Sequence, residues 1–248
     1  MSIFNEFLVL GNVWDVQSAL SCRKLGFKAI GTSSAAVAAS LGFEDGEDMP
    51  FCELLAVVKG IRGRVDLALT VDVEGGYSRD VGEIICNIRA LVELGVVGIN
   101  IEDSVVEDGG RRMLPVAEFG RIIGDIKAEM GDGVFLNART DAYIMGLDAA
   151  FDVTVERLKH YVASGADGVF VPCVVGVVEI RRLVDTSDLP LNVMCMPDLP
   201  DLPDFEVLQK LGVKRISMGP FAYHMMVAHF ERLLGDVVED QSFKAMFG

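Results

Sequence analysis

Four times in this chain a helical stretch runs into a glycine and a hydrophobic run follows at once: KLGFKAI (24–30), ELGVVGI (93–99), ASGADGV (163–169) and KLGVKRI (210–216). A glycine there suits the left-handed residue that closes a helix. Strands that alternate in this way with helices are buried on both faces and pair in parallel. Strand candidates fall at 8–14, 28–33, 67–73, 97–102, 134–140, 168–173, 189–195 and 215–219. Helical stretches lie between and after them, at 16–25, 50–62, 80–94, 115–130, 148–164, 176–186, 204–211 and 220–237. Eight such units in 248 residues predict an α/β fold of one domain over residues 1–248, a closed (β/α)8 TIM barrel. The competing arrangement is a doubly wound open sheet. Its usual Gly-rich dinucleotide turn, GxGxxG, is absent.

The net charge of −15 argues against nucleic acid and against an anionic membrane surface as partners. It leaves a small anionic ligand open, because charge inside a pocket can oppose the charge of the whole chain. The five cysteines (Cys22, Cys52, Cys86, Cys173, Cys195) are scattered without a CxxC pair, as expected of reduced thiols in a cytoplasmic protein. Met1–Leu10 lacks the basic and cleavage features of a signal peptide. No uncharged apolar run reaches the roughly 18 residues of a membrane span. Three histidines, two of them close together near the end, do not suggest zinc.

The most informative stretch is LALTVDVEGGY (67–77). Leu67, Leu69, Val71 and Val73 alternate as in a buried strand, yet Asp72 and Glu74 interrupt its C-terminal end. Residues two apart on a strand share a face. Pointed at the covering helices, two charges would be buried at severe cost. Pointed into the barrel mouth, they stand where barrel enzymes place their chemistry. Gly75 and Gly76 then permit a sharp turn and a close ligand approach.

Other strand ends supply neighbours: Glu102 and Asp103 from INIEDS, Asn137, Arg139 and Asp141 from NARTDA, Thr32, Ser33 and Ser34 from GTSSAA, Asn192 from LPLNVMC, and Asp45 from the following loop LGFEDGEDMP. Asp72, Glu74 and Glu102 would repel one another unless a cation lies among them. Oxygen ligands alone suit a hard ion such as Mg²⁺, which keeps several waters and leaves room for substrate oxygens. Arg139 offers a planar fork to a carboxylate or phosphonate. Thr32–Ser34 opens a helix, whose N–H groups and hydroxyls can hold a second anion. Plainer readings stand beside these: a structural ion-pair cluster for the acids and Arg139, a cap for Thr32–Ser34, a turn residue for Asp45, and backbone partnership for Asn192. Arg111 and Arg112 are read equally as a clamp in a gating loop or as a solvated turn.

In order, the segments NVWDVQSA, GFKAIGTSSAAVAASLGFEDG, TVDVEGGY, GVVGINIEDS, NARTDAY and GADGVFVP resemble the isocitrate lyase and phosphoenolpyruvate mutase superfamily, from about Asn12 to Arg232. The resemblance is greatest to its small phosphonomutase-like members. It implies a (β/α)8 barrel whose last helix is often exchanged between subunits of homodimers that pair into homotetramers. It implies that Asp72 and Glu74 hold Mg²⁺, or Mn²⁺ in its place, largely through water, with Glu102 as the third acid. It gives Arg139 the substrate's acidic end, Thr32, Ser33 and Ser34 the carboxylate of a 2-oxo acid, Asp45 a catalytic place near the metal, and Asn192 a polar substrate contact.

The departures are equally specific. Lyase relatives carry a Lys-(Lys or Arg)-Cys-Gly-His signature after the fourth strand, where this chain has SVVEDGGRRMLP. Pro172 and Cys173 stand where relatives often place a histidine or glutamate. The resemblance therefore implies no cleavage of isocitrate or methylisocitrate. It implies an Mg²⁺-dependent enzyme that cleaves a C–C or C–P bond at C3 of a small anionic 2-oxo acid, oxaloacetate-like first and phosphonopyruvate-like second, through a metal-stabilised enolate. The alternative is a non-catalytic 2-oxo acid binding or sensor protein on the same scaffold.

Overall fold

The computed structural model describes residues 6–107, 109–194 and 203–247. Its first hydrophobic run is divided at Leu10 into β1 (Leu8–Val9) and β2 (Gly11–Val13). Seven further parallel strands follow: β3 (Ala29–Thr32), β4 (Ala68–Asp72), β5 (Gly98–Glu102), β8 (Phe135–Arg139), β9 (Gly168–Val171), β10 (Leu191–Met194) and β11 (Arg215–Ser217). The strand order is β1-β11-β10-β9-β8-β5-β4-β3-β2. Because β1 and β2 are one stretch of chain, the two ends of the sheet meet. Leu10 N–H bridges the division by donating to Ile216 O at 2.8 Å. The expected closed barrel is therefore present, with one stave split between two neighbours.

Between the strands lie α1 (Val16–Lys24), α2 (Ser34–Leu41), α3 (Phe51–Arg62), α4 (Val81–Glu93), α5 (Val116–Met130), α6 (Ala150–Ala163), α7 (Val177–Thr186) and α8 (Phe205–Lys210), and α9 (Phe221–Asp240) follows β11. Helix α4 shows why they form. Asp80 caps it by accepting from Glu83 N–H, and Ile84, Ile88 and Leu91 recur at helical spacing on its buried side. These residues pack with Leu69, Val71, Ile99 and Ile101 of the sheet in the main core cluster. Full burial of each such side chain is worth about 1.5–3 kcal/mol. A second cluster joins Val169, Val171, Val193 and Ile216 to Leu158, Ile180, Leu183 and Leu208 on α6, α7 and α8.

The other face of the strands, inside the barrel, is polar. Asn137 Nδ2 donates to Asn100 Oδ1 at 2.9 Å, and Arg215 Nη2 donates to Thr70 Oγ1 and to Asn100 Oδ1, each at 3.2 Å. Small residues make room for this layer: a Cβ on Gly31 would come within 2.9 Å of Thr70 Oγ1.

Helix α2, between β3 and the Asp45 loop, is the helix that Thr32–Ser34 was expected to open. One element differs from expectation. The segment after β5, expected as an irregular loop, is a hairpin of β6 (Ser104–Glu107) and β7 (Gly110–Met113), antiparallel with Val106 opposite Arg111. The stretch after β10, with Cys195 and the proline-rich acidic run, lies outside the described residues. Among the described residues no helix is long and apolar enough to cross a membrane.

The base of the hairpin is tied to the barrel by a buried charge. Asp103 is fully buried and accepts from Arg157 Nη1 at 2.9 Å, from the Tyr161 hydroxyl and from Asp141 N–H at 3.0 Å. Arg157 Nη2 also donates to Leu114 O at 2.8 Å. Removing the cation would leave an uncompensated carboxylate. Arg157→Met should cost about 3–5 kcal/mol in urea unfolding. Arg112→Ala, which removes an exposed pair with Glu107, should stay within about 0.5 kcal/mol. Equal losses in the two variants would show that the buried pair does not carry this stability.

Candidate active site

Strand β4 ends at Asp72, and Glu74 follows in a left-handed conformation, with φ of 50°. Both carboxylates lie at the mouth as expected, but a turn and not strand alternation places the second. The turn is heavily constrained. Gly76 N–H donates to Val73 O at 2.7 Å, Asn87 Nδ2 donates to Gly76 O at 3.0 Å, and Glu102 N–H donates to Glu74 O at 2.9 Å. Tyr77 is also left-handed, at φ 61°, and so is Glu47 of the neighbouring loop, at φ 67°. These strained residues hold one another. Tyr77 N–H donates to Glu47 Oε1 at 2.7 Å, the Tyr77 hydroxyl donates to Glu74 Oε1 at 3.2 Å, and Arg79 pairs with Glu47 at 2.8 Å. Such backbone strain, about 1–3 kcal/mol per residue, persists only where the surroundings over-determine it.

Beside the turn, two arginines share two carboxylates. Arg139 Nη1 lies 2.9 Å from Glu102 Oε2, and its Nε lies 2.6 Å from Asp141 Oδ1. From the hairpin, Arg111 Nη1 reaches Glu102 Oε1, Asp141 Oδ2 at 2.9 Å and Ser104 Oγ at 2.7 Å. Its Nη2 lies 3.4 Å from Asp45 Oδ2. Asp72 Oδ2 is 3.7 Å from Arg139 Nη1.

A cavity of about 380 Å³ opens over these groups. Ser33, Ser34, Asp45, Asp72, Asn100 and Arg139 are among its polar lining residues. Ile144, Phe170, Pro172, Met194, Pro220 and Phe221 add apolar surface, with the Arg139 guanidinium 5.8 Å from the centre of the Phe170 ring. Cys173 also lines the cavity, left-handed at φ 65°, with burial pushing its thiol up to about 11.

Burial dominates the electrostatics. It raises Asp72, opposed by Arg139 and by the Glu74 N–H. It raises Glu102 well above the carboxylate range against both arginines. Burial, then the charges of Asp45, Asp72 and Glu47, push Glu74 up to about 8. Burial alone would raise Asp141 too, but Arg139, the Ser104 hydroxyl and Arg111 bring it below its ordinary value.

The donor set accommodates a hard divalent ion. Glu74 Oε2 is buried, and among the described residues no hydrogen-bond partner reaches it. No group of three or more His, Cys, Asp or Glu among the described residues forms a ready-made cage. Mg²⁺ does not need one, because it is commonly held by one or two carboxylates and several waters. Asp72 and Glu74 fit that role, while Glu102 has both oxygens on arginines.

Of the residues singled out in the sequence, Asp45, Ser33, Ser34, Asp72 and Arg139 meet at the cavity, with Glu74 and Glu102 buried beside them. Thr32 lies below, its Oγ1 accepting from Asp72 N–H at 2.9 Å. Ser33 caps α2 by accepting from Ala36 N–H. Asn192 is placed deeper, its amide donating to Val193 O at 2.7 Å and to Ser217 Oγ at 3.2 Å. Sequence reasoning did not find Glu47, Tyr77 or Ser104. Their spacing carries no pattern, although the run of acids around Gly46 was a visible signal.

Comparison with known proteins bears on this geometry. The family model described as phosphoenolpyruvate phosphomutase matches residues 4–238. An uncharacterised protein of Mycobacterium tuberculosis (strain ATCC 25618 / H37Rv) is 36% identical over 231 residues, covering 92% of this chain and 84% of the relative. An oxaloacetate decarboxylase of Ectopseudomonas mendocina (strain ymp) is 28% identical over 225 residues, covering 86% and 73%. A crystal structure from Burkholderia cenocepacia J2315, assigned as a phosphonomutase, superposes with a TM-score of 0.85 at 34% identity over 94% of this chain and 96% of that one. A phosphonopyruvate hydrolase in complex with oxalate and Mg²⁺ shares the fold, with a TM-score of 0.83 at 19% identity, covering 96% and 84%.

The raised Glu74 carboxyl fixes the sign of a pH dependence. Its protonated form is favoured in the folded state, so its contribution to stability is full below its ordinary 4.5 and is lost as pH rises to about 8. In divalent-free buffer the melting midpoint should fall between about pH 5 and pH 8. Glu74→Gln should flatten that slope, and Mg²⁺ should raise the midpoint more at the alkaline end than at the acid end. A slope unchanged by Glu74→Gln would assign the dependence to another group.

Proposed function

The chain belongs to the phosphoenolpyruvate phosphomutase family, and from that premise we propose that it is an enzyme that binds a small anionic 2-oxo acid at the barrel mouth and cleaves a carbon–carbon bond at C3. The observation that carries this reading is the cavity's lining. Asp45, Asp72 and Arg139 line it together with apolar residues such as Ile144, Phe170 and Phe221, and Arg139 is the cation among the described lining residues. Asp72 and Glu74 would hold a divalent ion, with Glu102 acting through water. When bound, the ion supplies positive charge opposite the carboxylate and 2-oxo oxygens. Ser33, Ser34 and the first N–H groups of α2 face the substrate carboxylate. Arg139 grips the acidic group at C3 with its planar fork.

Loss of CO₂ from an oxaloacetate-like acid needs no general acid at C3, only stabilisation of the enolate that remains. Cleavage of a hydroxy acid must also move a proton at its hydroxyl. The hairpin that stands where lyase relatives carry cysteine and histidine has neither among its residues 104–113. A phosphonate carries more charge than a carboxylate, and a single lining arginine supports C–P cleavage less well. The oxaloacetate decarboxylase relative is consistent with this order. The second reading, a binding or sensor protein, is favoured by the tight arginine–carboxylate set at the mouth, which binds without supplying an acid.

The outer helix supports a self-associating chain. Helix α9 has no buried residue, and Met225, Met226, Phe230 and Val238 on it are exposed. We take a second copy as the cover, as expected from the sequence. Light scattering should give a dimer or tetramer, and Phe230→Asp should shift it toward monomer; a wild-type monomer would refute this.

The functional test is a substrate panel followed by NMR. With Mg²⁺, oxaloacetate should give pyruvate and CO₂ faster than with Mg²⁺ alone, and methylisocitrate should remain intact. Asp72→Asn should abolish turnover without unfolding. Arg139→Lys should weaken oxaloacetate relative to pyruvate by about 1.5–3 kcal/mol, the range for a charge-assisted hydrogen bond. Oxalate binding without turnover of any substrate would favour the sensor reading. Robust methylisocitrate cleavage would overturn the argument from the hairpin.

A further inference from the structure

Arg111 does not line the cavity, yet it touches Glu102, Ser104 and Asp141 beside it and Asp45 in its lining. The hairpin presents it inward. Arg112, the next residue, points out to pair with Glu107, as strand alternation requires. Val106, opposite Arg111, rests on the Asp45 loop, where a Cβ on Gly46 would come within 2.5 Å of Val106 Cγ2. Seated there, the Arg111 side chain is 18% exposed.

The pairing is reciprocal. Glu102 gives Oε1 to Arg111 and Oε2 to Arg139, and Asp141 gives Oδ2 to Arg111 and Oδ1 to Arg139. Two guanidiniums and two carboxylates thus form a closed square in which each carboxylate is balanced from both sides. Without Arg111, the two outer oxygens would be buried acceptors with one remaining cation to serve them. Arg139 would be drawn toward them, away from the cavity. Because charge-assisted bonds in a buried setting are strong, that redirection is energetically favoured over leaving the oxygens unpaired.

We propose that Arg111 is a positioning residue that sets the direction in which Arg139 presents its guanidinium to the cavity. What Arg139 grips rests on the 2-oxo acid reading; the orientation of Arg139 does not. Arg111 Nη1 alone makes three of the four contacts, and the three donors of a lysine ammonium can replace them. Lysine should therefore support the arrangement where glutamine cannot.

The test uses the full chain with Arg111→Gln and Arg111→Lys. The first readout needs no ligand: the ¹⁵N–¹H signal of the Arg139 Nε, identified by its loss in Arg139→Lys. It should shift in Arg111→Gln and stay near the wild-type position in Arg111→Lys. The second is calorimetry in Mg²⁺ with oxalate and with oxaloacetate, whose distal carboxylate reaches farther. Arg111→Gln should weaken oxaloacetate at least tenfold more than oxalate, and Arg111→Lys should restore it to within threefold of wild type. An unmoved Arg139 signal, or equal losses for the two ligands, would overturn the proposal. So would a glutamine variant that no longer folds, since that assigns Arg111 a structural role. A wild-type protein that binds neither ligand would refute the 2-oxo acid reading, and the Arg139 signal would still decide the positioning claim.

Discussion

Buried negative charge is the constraint to which the rest of the mouth answers. Asp72, Glu74, Glu102, Asp103 and Asp141 are each at most 7% exposed. An isolated carboxylate so placed would be expensive, and each one is met differently. Asp103 receives Arg157, Tyr161 and a backbone N–H. Glu102 and Asp141 share Arg111 and Arg139. Asp72 stands at the edge of Arg139's reach, and Glu74 keeps an oxygen without a partner among the described residues. Neutralisation is thus complete at the rim and incomplete at the end of β4. That asymmetry, rather than the number of acids, marks where a cation belongs.

The barrel supplies rigidity for this arrangement in two ways. Splitting the first stave lets the sheet close without a free edge, so the strand ends hold fixed relative positions. The interior is bonded through Thr70, Asn100, Asn137, Asn192 and Arg215 rather than filled only by branched apolar residues. A hydrogen-bonded polar layer below the mouth is directional where an apolar one is not, and it resists the small rotations that would misalign Asp72 and Arg139. Arg215 also carries positive charge near Asp72, although burial brings its own value down to about 10.

Much of this was legible because it obeys local rules. Helix–glycine–strand repeats announce the barrel, and Asp72, Glu102 and Arg139 interrupt hydrophobic runs where strands should end. Glu74 was placed correctly by an argument that does not hold in detail. Strand alternation stops at Asp72, and a left-handed turn braced by Glu47 and Tyr77 does the rest. The pairing of Glu47 with Tyr77 spans thirty residues and has no sequence period, so periodicity could not reveal it. The hairpin was hidden for another reason. SVVEDGGRRMLP buries only Ser104, Val105 and Leu114 at its ends, too few to show a strand period, and its inward arginine is defined by partners on β5 and just after β8. Arg111 and Arg112 are neighbours of the same type, and alternation about a register set by Gly109 and Gly110 is what separates them.

The balance of charge within the cavity bears on which bond would break. A carboxylate at C3 enters charged and departs as neutral CO₂, its electron pair passing to the carbon it leaves. A site for that process needs one cation to bring the group in and no means of holding charge once it goes. Arg139 together with the apolar lining of Ile144, Phe170 and Phe221 meets both conditions. A phosphoryl group keeps its negative charge throughout transfer and calls for cations along its whole path. Among the described lining residues there is one. Arg111, the other guanidinium at the mouth, is already divided among Glu102, Asp141 and Asp45. Freeing it for a phosphoryl group would leave two buried carboxylates unbalanced. The network that aims Arg139 therefore also restricts the positive charge the site can offer, and this favours a leaving group that departs neutral.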